Sequence, residues 1–335
     1  MRVIGQEDRE VERAKIAILG ILGDSQKAIG SKVIARRLKD EYGIELSERA
    51  VRYHLRLLDE RDLTCKVSRR DGRAITQQGL EAIKNAMVAD KVGFVIDKIE
   101  LLAYQTSFDP VQRMGKVPIN ISLFPKEKFK AALKAMAGAF KSKLCVSNLV
   151  AVASEGERLG DMLVPEGNMG LATICSIVVN GALLKEGIPM DSRFGGLLQL
   201  KNHRPWRFTE LIEYAGSSVD PSEIMVASRM TSITEVLKNG DGKILANFRE
   251  IPAMCIPLAK TVIERLEEAG INGLVMMGEI GKPVCEVPVG QNKVGVVLIG
   301  GLNPAAAAVE AGINVTNKAM SKLIDFKELK SFWEL

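Results

Sequence analysis

Apolar positions recur at helical spacing along the first 90 residues. Val11, Ala14, Ile18 and Leu22 lie three to four residues apart and predict a helix. Gly30 and Ser31 then precede SKVIARRLKDEYG, where Val33, Ile34 and Leu38 form a second apolar stripe. Ser31 is its expected N-cap and Gly43 its expected stop. SERAVRYHLRLLDERD predicts a third helix, with Ser47 as N-cap. LTCKVSRRDGRAIT alternates apolar and polar residues around Arg70, Asp71 and Gly72, which is a hairpin signal. Three helices followed by a basic hairpin outline a winged helix-turn-helix over residues 1–75. Thr76 can cap a further helix, and residues 76–91 read as a connector.

From about Val92 the pattern changes. Buried-type strands rich in Val, Ile and Leu alternate with amphipathic helices to about residue 330, predicting a mixed α/β domain. The whole chain is therefore read as α+β, a winged helix followed by a larger domain with an internal duplication. GKVPINISLFP (115–125) resembles GKILANFREIP (242–252), with Asn120 opposite Asn247, and each precedes a helix. VPEG (164–167) resembles VPVG (287–290). Asn180-Gly181 and Asn303-Pro304 then open matching short helices. Four shared features in one order point to two similar halves about a pseudo-twofold axis.

Charge sharpens the reading of the third helix. A turn of about 100° per residue places Val51, Leu55 and Leu58 on one side and Arg49, Arg52, Tyr53 and Arg56 opposite. Arginine can hold guanine O6 and N7 with two bonds, and Tyr can reach phosphate or base. Lys66, Arg69, Arg70 and Arg73 make the hairpin a basic wing suited to phosphates. Residues 27–73 hold 13 Lys and Arg against 8 Asp and Glu, while the whole chain carries +5, so the other residues are close to neutral. Ser47, the three arginines, Tyr53 and the wing cations are the expected contacts to double-stranded DNA. His54 reads as a packing residue.

Catalytic chemistry is sparse. Two histidines, five scattered cysteines and the absence of Walker, nucleophile-elbow and zinc-protease motifs argue against metal, disulfide and enzyme classes. No cofactor is expected. No apolar run reaches membrane-span length, and the charged N-terminus lacks a signal-peptide core, so a cytoplasmic protein is expected. The best ligand signal is VGVVLIGGLNPAAAAVEAG: a buried strand, Gly300 and Gly301, then Asn303 and Pro304 at a helix start. Helix N-termini offer unpaired N–H groups to a carboxylate or phosphate. Asn180 and Gly181 are the matching corner, and Arg193 in DSRFGG is a candidate carboxylate partner. Two readings compete with a ligand-responsive DNA binder. One is an enzyme on a small anionic metabolite tethered to a winged helix, and the other is a dimerisation domain without ligand.

The strings GKILANFREIP, VPVG and GGLNPAAAAVEAGI behind a winged helix resemble the archaeal nitrogen-regulation repressors called NrpR, over nearly the whole chain. The resemblance implies a repressor of nitrogen-fixation and ammonia-assimilation genes. It implies release from the operator by 2-oxoglutarate and a homodimer on a palindromic operator, with a second NrpR-type regulatory protein as a further partner. Some family members carry two regulatory domains, whereas this chain has room for one.

Overall fold

A computed structural model describes residues 4–25, 28–68, 72–85, 93–160 and 162–335. The chain divides into two compact units, Met1–Leu101 and Leu102–Leu335.

The first unit holds α1 (Ile4–Gly23), α2 (Ser31–Tyr42), α3 (Glu48–Asp59), the antiparallel strands β1 (Thr64–Ser68) and β2 (Gly72–Ile75), and α4 (Gln77–Asn85). Ala17, Ile18, Ile21 and Leu22 of α1 meet Ile34 and Leu38 of α2 and Val51, Leu55 and Leu58 of α3 in one core. This is the expected winged helix. An isolated bridge between Ile29 and Arg73 ties the hairpin to the segment before α2.

Local details differ from expectation. Gly30, in an extended conformation, is the N-cap of α2, and Ser31 is its first helical residue with its hydroxyl donating to Glu48. Val33 is exposed at 39 %, so the α2 stripe rests on Ile34 and Leu38. Gly43 ends the helix at a φ of 64° as expected. The expected connector at 76–91 is partly core. Thr76 caps α4 through the Gly79 N–H, and Ala82 and Ile83 pack on the winged-helix core. Residues 86–92 lie outside the described residues. Helix α5 (Phe94–Gln105) then begins inside the first unit, where Phe94 meets Tyr42 edge-on and Arg13 pairs with Asp97. By contacts the division between the two units falls within α5, after Leu101.

The second unit repeats a β-α-β-β-α-β pattern. The first half runs β3 (Lys116–Pro125), α6 (Phe129–Lys141), β4 (Leu149–Ser154), β5 (Asn168–Ile174), α7 (Ile177–Lys185) and β6 (Asp191–Lys201). Strand β7 (Arg204–Glu213) and the short helices α8 (Pro221–Ala227) and α9 (Ile233–Asn239) follow. The second half runs β8 (Gly242–Pro252), α10 (Ile256–Glu268), β9 (Leu274–Met277), β10 (Lys293–Ile299), α11 (Asn303–Glu310) and β11 (Thr316–Asp325). A two-residue strand, β12 (Lys330–Ser331), closes the chain.

The halves exchange their last strands. One sheet orders β9-β10-β8-β6-β7, so β6 of the first half pairs with β8 of the second. The other orders β11-β3-β5-β4-β12, so β11 of the second half pairs with β3 of the first. The helices cross as well, with α11 on α6 and α7 on α10. Each half therefore completes the other's sheet, and neither can bury its faces alone. The expected duplication is present, and the exchange brings the two strand-to-helix corners together.

Candidate nucleic-acid interface and anion cleft

Helix α3 presents the two faces its sequence predicts. Val51, Leu55 and Leu58 are buried, while Arg49, Arg52, Tyr53 and Arg56 are exposed. Ser47 caps the helix by accepting the Ala50 N–H at 3.2 Å. The exposed face is not purely basic, because Arg52 reaches Glu48 at 3.1 Å and Arg56 reaches Glu60 at 3.5 Å. Such exposed i,i+4 pairs are worth about 0.3–0.5 kcal/mol, so a phosphate or guanine can displace them. Lys66 on β1 is exposed. Arg73 is a correction: its guanidinium is held 2.7 Å from Asp59, which also accepts from Thr64. It fastens β2 to the end of α3 and is not a free wing cation. Arg69 and Arg70 lie outside the described residues.

His54 is buried at 8 % exposure beside Lys15 and Glu12, and its Nδ1 has no partner. Burial first, and Lys15 second, hold its pKa below the ordinary histidine value, with Glu12 opposing them. The unfolded chain therefore takes up this proton more readily than the folded chain. Stability is retained above the ordinary value near 6.5 and lost as pH falls through it toward the lower folded value. Melting of the full chain at about pH 7.5 and 5.5 should show the winged-helix transition falling more for wild type than for His54→Gln. Equal losses would remove the histidine as the cause.

The second site lies in the second unit where the exchanged halves meet. Strand β5 ends at Cys175 and Ser176 before α7, and β10 ends at Gly300 and Gly301 before α11. Both corners line one cleft with Asn120, Asn247, Arg249, Tyr214, Asp220 and Met320. The interior leaves about 30 Å³ in which the centre of a water can sit, enough for about two waters.

Arg249 is the chemically unusual member. It is 1 % exposed, and its Nε has no partner. One terminal nitrogen donates to Ser192 Oγ. Among the described residues no carboxylate lies within ion-pair distance of it. Burial lowers its pKa, with Asp220 and Asp191 among the groups acting against that. A guanidinium so placed is costly unless a ligand pairs with it. Asn180 shares Ser192 at 3.1 Å, and its Oδ1 is also buried without a partner. Asn247 donates to Ser176 Oγ at 3.1 Å and accepts from the Tyr214 hydroxyl. Burial raises the pKa of that hydroxyl, so it remains a donor.

The expected ligand residues sort unevenly. Gly300 and Gly301 line the cleft, and a Cβ on Gly301 would sit 2.3 Å from Asn120 Nδ2, so the close approach requires glycine. Asn303 is a correction. It is fully buried, does not line the cleft, and commits its amide to both the N–H and the carbonyl of Leu245, at 2.8 and 3.1 Å. Gly181 is another. It lies inside α7, where a Cβ would come within 2.4 Å of Thr106, so it serves helix packing. Helix α7 starts at Ile177, which shifts the first corner back to Cys175 and Ser176. Arg193 pairs with Glu250 at 3.2 Å, while its neighbour Ser192 meets Arg249. The pairing skips Arg193, with Phe248 opposite Phe194 and Arg249 opposite Ser192, so this irregularity in the DSRFGG segment sets its serine, not its arginine, against Arg249. Sequence reasoning missed Arg249 itself. The available signal was ANFRE, where Asn247 and Arg249 are two apart on one face of a buried strand.

Strand β11 closes over the cleft. Lys318 pairs with Ile121 and Lys322 with Ile119, so three residues bulge opposite Asn120 alone. Met320, at a φ of 50°, donates its N–H to Asn120 at 3.0 Å, and Ala319 donates to Glu223 of α8 at 2.6 Å. No described helix is long and apolar enough to cross a membrane.

Comparison with known proteins places this arrangement among regulators. Residues 92–331 match the family described as NrpR regulatory domains NRD1 and 2. Residues 16–83 match the Ribonuclease R winged-helix domain. The global nitrogen regulator NrpRI of Methanosarcina mazei is 37 % identical over 96 % of this chain and 99 % of its own length. The global nitrogen regulator NrpR of Methanococcus maripaludis is 30 % identical over 95 % of this chain, and that of Methanocaldococcus jannaschii 32 % over 96 %. The chain spans 56 % and 55 % of those two longer proteins. The crystal structure of a nitrogen repressor-like protein from Methanococcus jannaschii superposes with a TM-score of 0.61 at 25 % identity, covering 71 % of this chain and 98 % of that one.

Proposed function

Since the chain belongs to the NrpR family of nitrogen regulators, we propose that it represses nitrogen-fixation and ammonia-assimilation genes and that 2-oxoglutarate, bound at the Arg249 cleft, releases it from the operator. The observation that carries this reading is a buried guanidinium without a carboxylate partner, set between two strand-to-helix corners. One carboxylate of the effector pairs with Arg249. The other takes the Gly301 N–H at the corner, since that of Gly300 already donates to the Leu245 carbonyl at 2.9 Å, and the helix end there favours an anion. Ser176, oriented by Asn247, adds a hydroxyl.

The effector is larger than the room present, so binding parts the halves. The bonds of β11 to Asn120 and Glu223 are the straps in the way. A ligand shifts an equilibrium only through its preference between two states. Here the preferred state has the cleft opened. In a homodimer on a palindrome, the recognition helices must match half-sites about one DNA turn apart, so an opened regulatory unit weakens binding. A tenfold loss requires about 1.4 kcal/mol of coupling. A second NrpR-type chain is a further partner in this scheme, and a cytoplasmic location is part of it. Isothermal calorimetry of the full chain should give one saturable 2-oxoglutarate site per chain at millimolar ligand or below. Absence of heat and of any thermal stabilisation would leave a regulator without this effector.

A further inference from the structure

The β6–β7 hairpin carries a basic, aromatic tip that the cleft and the reading helix do not use. Its sequence is Lys201-Asn202-His203-Arg204-Pro205-Trp206-Arg207. Asn202 and His203 form the two-residue turn, both with positive φ, at 52° and 61°. The turn is fixed from behind, because the His203 N–H donates to the Gly240 carbonyl at 2.9 Å and the Asn202 N–H to Asp241 at 2.7 Å. Trp206 is 43 % exposed. Arg207 stacks over its ring at 4.3 Å and Lys201 stands 5.2 Å from it. Lys201 and Arg204 are exposed, and among the described residues neither they nor Arg207 meets a carboxylate within ion-pair distance. Nearby lysines differ: Lys243 holds Glu210 and Lys238 holds Glu235. Among the described residues Asp241 is the one carboxylate bonded to the turn, and it accepts from a backbone N–H.

We propose that this hairpin tip is a second DNA contact, gripping the phosphate backbone through Lys201, Arg204 and Arg207, with Trp206 flanked by Lys201 and Arg207. Cations without a carboxylate partner among the described residues, beside an exposed aromatic, suit a polyanion, even with the Arg207 Nε donating to Gln199 at 3.3 Å, and the family's winged helix brings one to the same chain. The contact reads no sequence. The inference rests on the chain binding DNA, and the test separates the two claims.

The full chain carrying Lys201→Gln and Arg204→Gln is titrated with an operator duplex and with an unrelated duplex over a range of salt. Removing one phosphate-binding cation lowers the slope of log affinity against log salt by about 0.9. The expected result is a slope reduced by about 2 per bound chain, with affinity for both duplexes falling by the same factor and their ratio unchanged. Both side chains are exposed, so melting should be unaltered, and Lys201→Glu with Arg204→Glu should deepen the same loss. An unchanged slope in both variants, with wild type binding DNA normally, overturns the hairpin contact alone. If wild type binds neither duplex, the DNA-binding reading fails before the hairpin is reached.

Discussion

Arg249→Met should abolish the response to 2-oxoglutarate while leaving the regulatory unit at least as stable as before. Hydrogen bonds to charged groups contribute about 1.5–3 kcal/mol each, so losing the guanidinium should weaken effector binding by roughly 10- to 150-fold. Stability should move the other way. Arg249 is buried with an unpartnered Nε and without a carboxylate in reach among the described residues. Replacing such a charge by an apolar side chain of similar volume is commonly neutral or stabilising by about 1–4 kcal/mol. Ser192 keeps Asn180 as a partner after the change. A group kept for ligand binding at a cost in stability behaves this way, and a structural group does not. Calorimetry with 2-oxoglutarate and thermal melting of the same protein measure both quantities. A variant that melts far lower yet binds normally would make Arg249 a structural residue.

Arg49→Ala and Arg52→Ala should each weaken operator binding by about 1–3 kcal/mol, as expected for an arginine that holds a base or a phosphate from a recognition helix. Arg73→Ala should behave differently. Its guanidinium is committed to Asp59, so its loss should lower the melting temperature of the winged helix and leave the melting of the second unit alone. Gel shifts on a nitrogen-gene promoter, paired with melting curves, separate the two kinds of arginine. Normal operator binding by both α3 variants would move the reading face elsewhere on the unit.

The winged helix was legible because its helices carry strong one-sided patterns. Val51, Leu55 and Leu58 against Arg49, Arg52 and Arg56 leave little choice of face. Pairing partners were less legible. Nothing near Arg73 says that it will meet Asp59 fourteen residues earlier instead of a phosphate. The repeat was visible in GKVPINISLFP and GKILANFREIP, since equal strands need equal patterns. The exchange of β6 and β11 was not, because it depends on pairing between residues far apart in the chain.

The cleft shows the same limit. Asn180-Gly181 reads as a turn, yet in this fold the glycine is a packing position against Thr106. Asn303 reads as a helix cap, yet its amide completes the bonding of Leu245. Arg193 and Arg249 both lie in strands, and sequence alone does not say which faces the interior. Register decides it: β8 and β6 pair so that Arg249 meets Ser192 while Arg193 is left to Glu250. Arg249 also has no counterpart in the first half, where Ser122 occupies the matching place after Asn120 and bonds Asn317. The two corners of the cleft are therefore unlike, so the proposed dicarboxylate would have one preferred direction in it.

Fluorescence anisotropy of a labelled operator duplex, titrated with the full chain at fixed salt with and without millimolar 2-oxoglutarate, bears most directly on coupling between the cleft and α3. Wild type should lose at least about tenfold in affinity, which is 1.4 kcal/mol, and Arg249→Met should lose none. Equal operator affinity for wild type with and without the effector would contradict it.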